Sequence, residues 1–208
     1  MTLQAQAEGA GLLTRDQAKT LADRVLSFAA GLEQARVNVI SQWSGNTRFA
    51  DASITTSGGE TNATVVVTVT IGRRRASSST NVLDDASLKR TVELAATLAK
   101  LSPEDPEIMP ELGPQTYDTV NAFVQRTATL DPEVRSGAVS RAVDAAAAAG
   151  KPAGQIFTAG YLEANARAVA VATSKGLFAY HRTTDADFSV TARTPDGTGS
   201  GWATGGAS

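Results

Sequence analysis

Few side chains in this 208-residue chain have the chemical reach for catalysis. His181 is the single imidazole, in Tyr180-His181-Arg182 at the end of a strand-like run. A lone histidine on a strand is more often a surface or hydrogen-bonded residue than a catalyst. It provides no His pair for a metal, and a Ser-His-Asp triad could form only through it. No cysteine is present, which removes disulfides, thiolate zinc sites, iron–sulfur clusters and thiol nucleophiles together. Ser200 lies in Gly199-Ser200-Gly201 with no strand-to-helix elbow around it, so it is a poor nucleophile. The run Asp196-Gly197-Thr198-Gly199-Ser200-Gly201 lacks the Gly-Lys-Ser/Thr ending of a phosphate loop and reads as a connector. Arg73-Arg74-Arg75 reads as a solvated turn rather than a binding patch. Asp84-Asp85 reads as helix capping, and burial accounts for Trp43 and Trp202 as well as binding does.

The elements that would carry these groups follow from spacing. Thr14-Arg15-Asp16-Gln17 fits a capping box, and Ala18, Leu21, Ala22, Val25, Leu26 and Ala29 recur at helical spacing up to Gly31. A strand is expected from Ala35 to about Trp43, a turn at Ser44-Gly45-Asn46, a returning strand from Thr47 to Ile54 and a second turn at Ser57-Gly58-Gly59-Glu60. Thr64 to Ile71 is rich in β-branched residues, and Ala76 to Asn81 pairs back on it. A second helix begins at Asp84 or Asp85 and ends at Ser102-Pro103. Asp131-Pro132-Glu133 opens a third helix that stops at Gly150-Lys151-Pro152. Four short strands are then expected: 155–163, 167–173, 177–182 and 187–193, with a tight turn at Ser174-Lys175-Gly176.

The fold class is α+β, with mostly antiparallel sheets, about three helices and two sub-domains. The expected organisation is a disordered N-terminus at 1–12, an α+β domain at 13–102, a crossing segment at 103–130, a helix plus antiparallel meander at 131–194 and a Gly-rich connector at 195–208. Alanine supplies 37 residues, whereas Leu, Ile, Val and Phe together supply only 43, so packing must rest on small side chains. Nineteen basic against twenty-one acidic residues leave a net charge of −2 and no electrostatic footprint for nucleic acid. The first ten residues carry neither basic charge nor an apolar run, and nowhere do eighteen apolar residues follow one another. No membrane partner and a cytoplasmic location are expected.

The order of several short motifs resembles the TldD/PmbA family, the modulators of DNA gyrase. Arg48-Phe49-Ala50-Asp51-Ala52-Ser53-Ile54 is similar to the family's Arg-Phe-Ala-Asn-x-x-Ile strand. The hairpin from Gly72 to Ser79, Asn81-Val82-Leu83-Asp84, the second helix and Ser102-Pro103-Glu104-Asp105-Pro106 follow in the family's order. So do Ala159-Gly160-Tyr161-Leu162-Glu163, Thr173-Ser174-Lys175-Gly176-Leu177-Phe178-Ala179-Tyr180 and Gly199-Ser200-Gly201-Trp202-Ala203.

The resemblance implies a zinc metallopeptidase that works as a homo- or heterodimer on unfolded peptides or peptide precursors. It places the zinc-binding His-Glu-x-x-x-His motif after the region present here. This chain has no such motif, so no catalytic or metal residue carries over, and zinc is implied only for the missing C-terminal part of an active member. The chain alone is expected to be inactive. Its role is then peptide binding and dimer assembly by the N-terminal portion. The alternatives are a PmbA-like non-catalytic partner subunit and a stand-alone peptide-binding module. The Gly-rich tail favours a truncated fragment over a reduced module. The peptide path would use strand addition along Arg48, Phe49 and Ser53, and near Tyr180 and His181.

Overall fold

A computed structural model describes residues 11–150 and 154–207. Helix α1 (Arg15–Phe28) starts where the sequence requires: Thr14 Oγ1 accepts from the Gln17 amide at 3.2 Å, and the Gln17 side chain accepts from the Thr14 amide at 2.9 Å. Strands β1 (Gln34–Ala50), β2 (Ser53–Ile71) and β3 (Arg74–Thr80) follow, then helix α2 (Asp85–Leu101). A short helix α3 (Gln125–Ala128) and the long α4 (Pro132–Gly150) precede β4 (Phe157–Thr173), β5 (Phe178–Arg193) and β6 (Ser200–Ala207). The strands form one six-stranded antiparallel sheet in the order β3-β2-β1-β4-β5-β6, so the fold is α+β. Among the described residues no helix is long and apolar enough to cross a membrane.

Several expected boundaries differ from the structure. Ser44-Gly45-Asn46 and Ser57-Gly58-Gly59-Glu60 are not turns; they lie inside β1 and β2. Their glycines make room instead. A Cβ on Gly45 would come within 2.6 Å of Arg135 Nη1 and 2.7 Å of the Trp43 ring, and one on Gly59 within 3.2 Å of the Ser44 carbonyl. The chain reverses at Asp51 and Ala52, both at positive φ (48° and 57°), a two-residue hairpin turn built without glycine. The four short strands after residue 154 are two long ones, β4 and β5, joined as expected across Ser174-Lys175-Gly176. Residues 200–207 of the expected connector form β6, in register with Ala186–Arg193 of β5. Strand pairing needs only backbone groups, and all eight β6 residues are exposed. The turn before β6 is built around Asp196, which accepts from the Thr194 hydroxyl (2.6 Å), the Thr198 amide (3.1 Å) and the Thr198 hydroxyl (2.9 Å). Of the stretch 1–12 expected to be disordered, residues 1–10 lie outside the described residues, as do Lys151 and Pro152 of the third helix's stop, while Leu12 is buried.

Two compact units divide the chain, and neither is continuous in sequence. The first holds residues up to Gln42, Asn62–Asn121 and Arg167–Arg182; the second holds Trp43–Thr61, Ala122–Ala166 and the residues from Thr183 onward. Strands β1, β2, β4 and β5 contribute residues to both. The first unit's core joins Leu21 and Val25 of α1 with Leu88, Val92 and Ala95 of α2, over Val37, Val39, Val65, Val67 and Val69. Valine on alternate strand positions meeting Ala and Leu on the helices is how a chain poor in large side chains fills this layer. The second unit buries Phe49, Ala128, Val139, Leu162 and Ala164.

Asp84 supplies a checkable electrostatic contribution to this fold. It caps α2, accepting from the Ser87 amide at 2.8 Å and the Ser87 hydroxyl at 3.0 Å. The Ser87 backbone bond, then its side-chain bond, hold the carboxyl below its ordinary 3.8. The folded group therefore contributes stability above the unfolded value, and loses it as pH falls through the folded one. Urea midpoints of the parent chain and Asp84→Ala should differ at neutral pH and converge as pH drops below 3.8. A constant difference down to pH 2 would contradict the cap's charge dependence.

Candidate functional site

On the second unit's part of the sheet, alternation sorts β1 into two faces. Gly45, Thr47 and Phe49 are buried on one face, while Ser44, Asn46 and Arg48 point to the other. On β4, Leu162, Ala164 and Ala166 are buried, and Tyr161, Glu163 and Asn165 alternate with them. The second face is a polar surface with its own contacts. The Arg48 guanidinium lies 5.2 Å from the centre of the Tyr161 ring. Ser44 Oγ donates to Glu163 at 3.3 Å, and Asn165 Nδ2 donates to Asp185 at 2.9 Å. Burial, then the charge and hydrogen bond of Glu163, push the Tyr161 hydroxyl up, with Arg48 pulling it back. Donors and acceptors thus alternate along a partly exposed sheet surface, suited to a polar chain lying across it.

The buried face is closed by α4. Asp131 Oδ1 caps this helix through the Val134 amide at 2.8 Å, and Pro132 takes its first position. Arg135, on the first turn, is only 2% exposed. Its Nε donates to Thr47 Oγ1 at 3.1 Å, Nη2 to the Gly58 carbonyl at 3.1 Å and Nη1 to the Leu130 carbonyl. Burial holds its pKa below the usual value and nearby Asp131 pushes back. Nothing in the linear sequence marks Arg135 as buried, because its partners on the strands lie 88 residues away at Thr47 and 77 residues away at Gly58.

The five expected peptide-path residues divide between the units. Arg48, Phe49 and Ser53 belong to the second; Tyr180 and His181 belong to the first. Arg48 is exposed on the polar face, and Ser53 is exposed at the start of β2. Phe49 is 2% exposed and stacks on Phe188 with ring centres 5.9 Å apart, so it serves the core. Tyr180 packs on the first unit's core, its hydroxyl donates to the Leu13 carbonyl at 2.8 Å, and burial pushes its pKa up. His181 is exposed.

The arginine triplet is a solvated turn only at Arg73; Arg74 and Arg75 are half-buried at the start of β3, and all three reach backbone carbonyls. Arg73 Nη2 donates to the Pro106 carbonyl at 3.3 Å, Arg74 Nη1 to the Ser102 carbonyl at 2.9 Å and Arg75 Nη2 to the Met109 carbonyl at 3.2 Å. Carbonyls of a proline-rich segment lack enough amide partners of their own, and three guanidinium groups supply them. Arg75 also lies 3.7 Å from the Glu111 carboxylate, which Arg36 approaches at 3.8 Å. Sequence reasoning missed Arg36 and Glu111. Among the described residues no group of three His, Cys, Asp or Glu side chains could hold a metal ion.

Residues 130–208 match the family described as the PmbA/TldA metallopeptidase central domain. No curated protein matches the chain in sequence. Among solved structures it is similar to TldE from Thermococcus kodakarensis, with a TM-score of 0.76 and 14% identity over 90% of this chain and 42% of that one. A candidate modulator of a DNA gyrase from Thermotoga maritima gives 0.74 and 14%, with the same coverage. Another candidate modulator, from Bacteroides thetaiotaomicron, gives 0.68 and 15%, over 91% of this chain and 43% of that one. The chain thus spans about two-fifths of the length of the structures it matches.

Proposed function

We propose, from the central-domain match over residues 130–208 and the shared fold, that this chain is the peptide-handling, non-catalytic N-terminal portion of a cytoplasmic TldD/PmbA-like metallopeptidase. The observation that supports peptide handling most is the polar sheet face of the second unit. An extended peptide needs donors and acceptors at strand spacing, and Arg48, Tyr161, Glu163 and Asn165 supply them there. The outer edge of β6 adds a strand whose residues are all exposed, open to a further strand. Dimer assembly is the second part of the proposal. Its support is an apolar stripe on α2, where Leu94, Leu98 and Leu101 are exposed at helical spacing.

Anisotropy of a labelled unfolded peptide, titrated with the purified chain, tests the first part. Binding should weaken about fivefold in Arg48→Ala, the effect of losing roughly 1 kcal/mol of cation and hydrogen-bond contact. The circular dichroism spectrum should stay that of the parent chain, because Arg48 is exposed. Absence of binding by the parent chain, or equal binding by the variant, would sink the peptide reading. Sedimentation of the same samples reports assembly; a monomer at every concentration removes the dimer from the proposal.

A further inference from the structure

The first unit contains a cleft of about 270 Å³ that none of the preceding function uses. Its apolar lining includes Met109, Leu112 and Leu177, and its polar lining is Arg36, Arg75 and Glu111. The Glu111 side chain is only 8% exposed, yet its Oε1 has no hydrogen-bond partner. The two guanidinium groups stand 3.8 and 3.7 Å from that oxygen, beyond the 2.7–3.2 Å of an N–H···O bond. Arg36 Nε is also buried without a partner. Arg75 is fixed from behind, its Nε donating to Thr70 Oγ1 at 3.1 Å and its Nη2 to the Met109 carbonyl. Buried polar groups left unpaired in this way are costly, and a fitted ligand would relieve them.

Three requirements follow for an occupant. Glu111 Oε1 lacks a donor, Arg36 Nε lacks an acceptor, and two guanidinium charges against one carboxylate leave an excess of one positive charge. Around them, Met109 is 74% exposed and Leu112 is 60% exposed, so apolar surface is held in water beside the charges. The geometry points to a peptide C-terminus ending in an apolar residue as the ligand of this cleft. Its amide N–H would donate to Glu111, its carboxylate would accept from Arg36 and Arg75, and its side chain would cover Met109, Leu112 and Leu177. A carboxylate cancels the excess charge, and planar guanidinium groups suit it. The cleft is small beside common ligand sites of roughly 300–1,000 Å³, which fits about one residue.

N-acetyl-leucine and N-acetyl-leucinamide differ only in the charge and shape of that terminus, and the intact chain can be titrated with each. Methyl resonances of Leu112, Val171 and Leu177 report the cleft by NMR. The acid should bind about tenfold more tightly than the amide, and the preference should weaken with added salt. Arg36→Gln should abolish the preference with the circular dichroism spectrum preserved, because the contact it removes is a long 3.8 Å ion pair to Glu111 and its Nε has no partner to lose. Equal binding of the two ligands, or shifts confined to residues away from the cleft, would overturn the assignment. This outcome is separable from the peptide reading of the second unit, which the Arg48 variant reports.

Discussion

Arg135→Ala should lose about 4 kcal/mol of unfolding free energy, measured by urea denaturation. Three hydrogen bonds from one charged group disappear, and each stranded buried acceptor costs roughly 1–3 kcal/mol, less what entering water returns. The acceptors are Thr47 on β1, Gly58 on β2 and Leu130 before α4, so the loss separates a helix from two strands. Two further variants separate the causes. Arg135→Met refills the volume without the donors and should recover part of the loss. Arg135→Lys keeps the charge, but a single ammonium cannot serve three divergent oxygens, so it should recover little. A loss under about 1 kcal/mol for the alanine variant would show that the guanidinium does not hold α4 in place.

Gly160→Ala is the second large expected effect. Gly160 lies on β4, where a Cβ would overlap the Ser189 carbonyl oxygen on β5 and the edge of the Phe49 ring. A backbone carbonyl within a sheet cannot move aside cheaply, so the added methyl must displace the Phe49–Phe188 stack, the strand or both. Overpacking of this kind costs roughly 1–3 kcal/mol and sometimes more; the upper end applies here because one of the obstructing atoms is backbone. Thermal unfolding followed by near-ultraviolet circular dichroism reads both the stability loss and the change in aromatic packing. Phe49→Leu in the same background should restore part of the stability, since a smaller side chain frees one of the two obstructions. An alanine variant with the parent's melting temperature and aromatic signal would refute the close approach.

The two variants bear on the same point about legibility. Gly160 stands in the Ala-Gly-Tyr-Leu-Glu motif that carried part of the family resemblance, and its need for glycine is now a matter of sterics against Phe49. Gly45 and Gly59 read as turn residues in the sequence, because Ser-Gly-Asn and Ser-Gly-Gly are ordinary turn signals. The real requirement at Gly45 comes from Trp43 and Arg135, and at Gly59 from the Ser44 carbonyl across the strand pair, neighbours that no local window contains together. The actual turn, Asp51-Ala52, carries no glycine, so the usual signal was missing where the chain reverses. β6 was illegible for a different reason. Its glycines show no alternation, since nothing on it is buried, and its register is set by β5.

Local physics and residue order determined much of this protein. The capping box at Thr14, the Asp84 and Asp131 caps, the amphipathic faces of α1 and α2 and the β-branched run of β2 all follow from interactions within a few residues. The ordered motifs pointed to the TldD/PmbA family. Tertiary structure alone decided the rest: that β1 and β2 run unbroken past their glycines, that the arginine triplet binds the carbonyls of the proline-rich segment, that Phe49 and Tyr180 serve cores, and that Arg36, Arg75 and Glu111 meet in one cleft. The physical reason is common to all four. Each depends on groups far apart in the chain that meet only when strands pair, and the free energy of such contacts is set by desolvation and close approach, which no short stretch of sequence encodes.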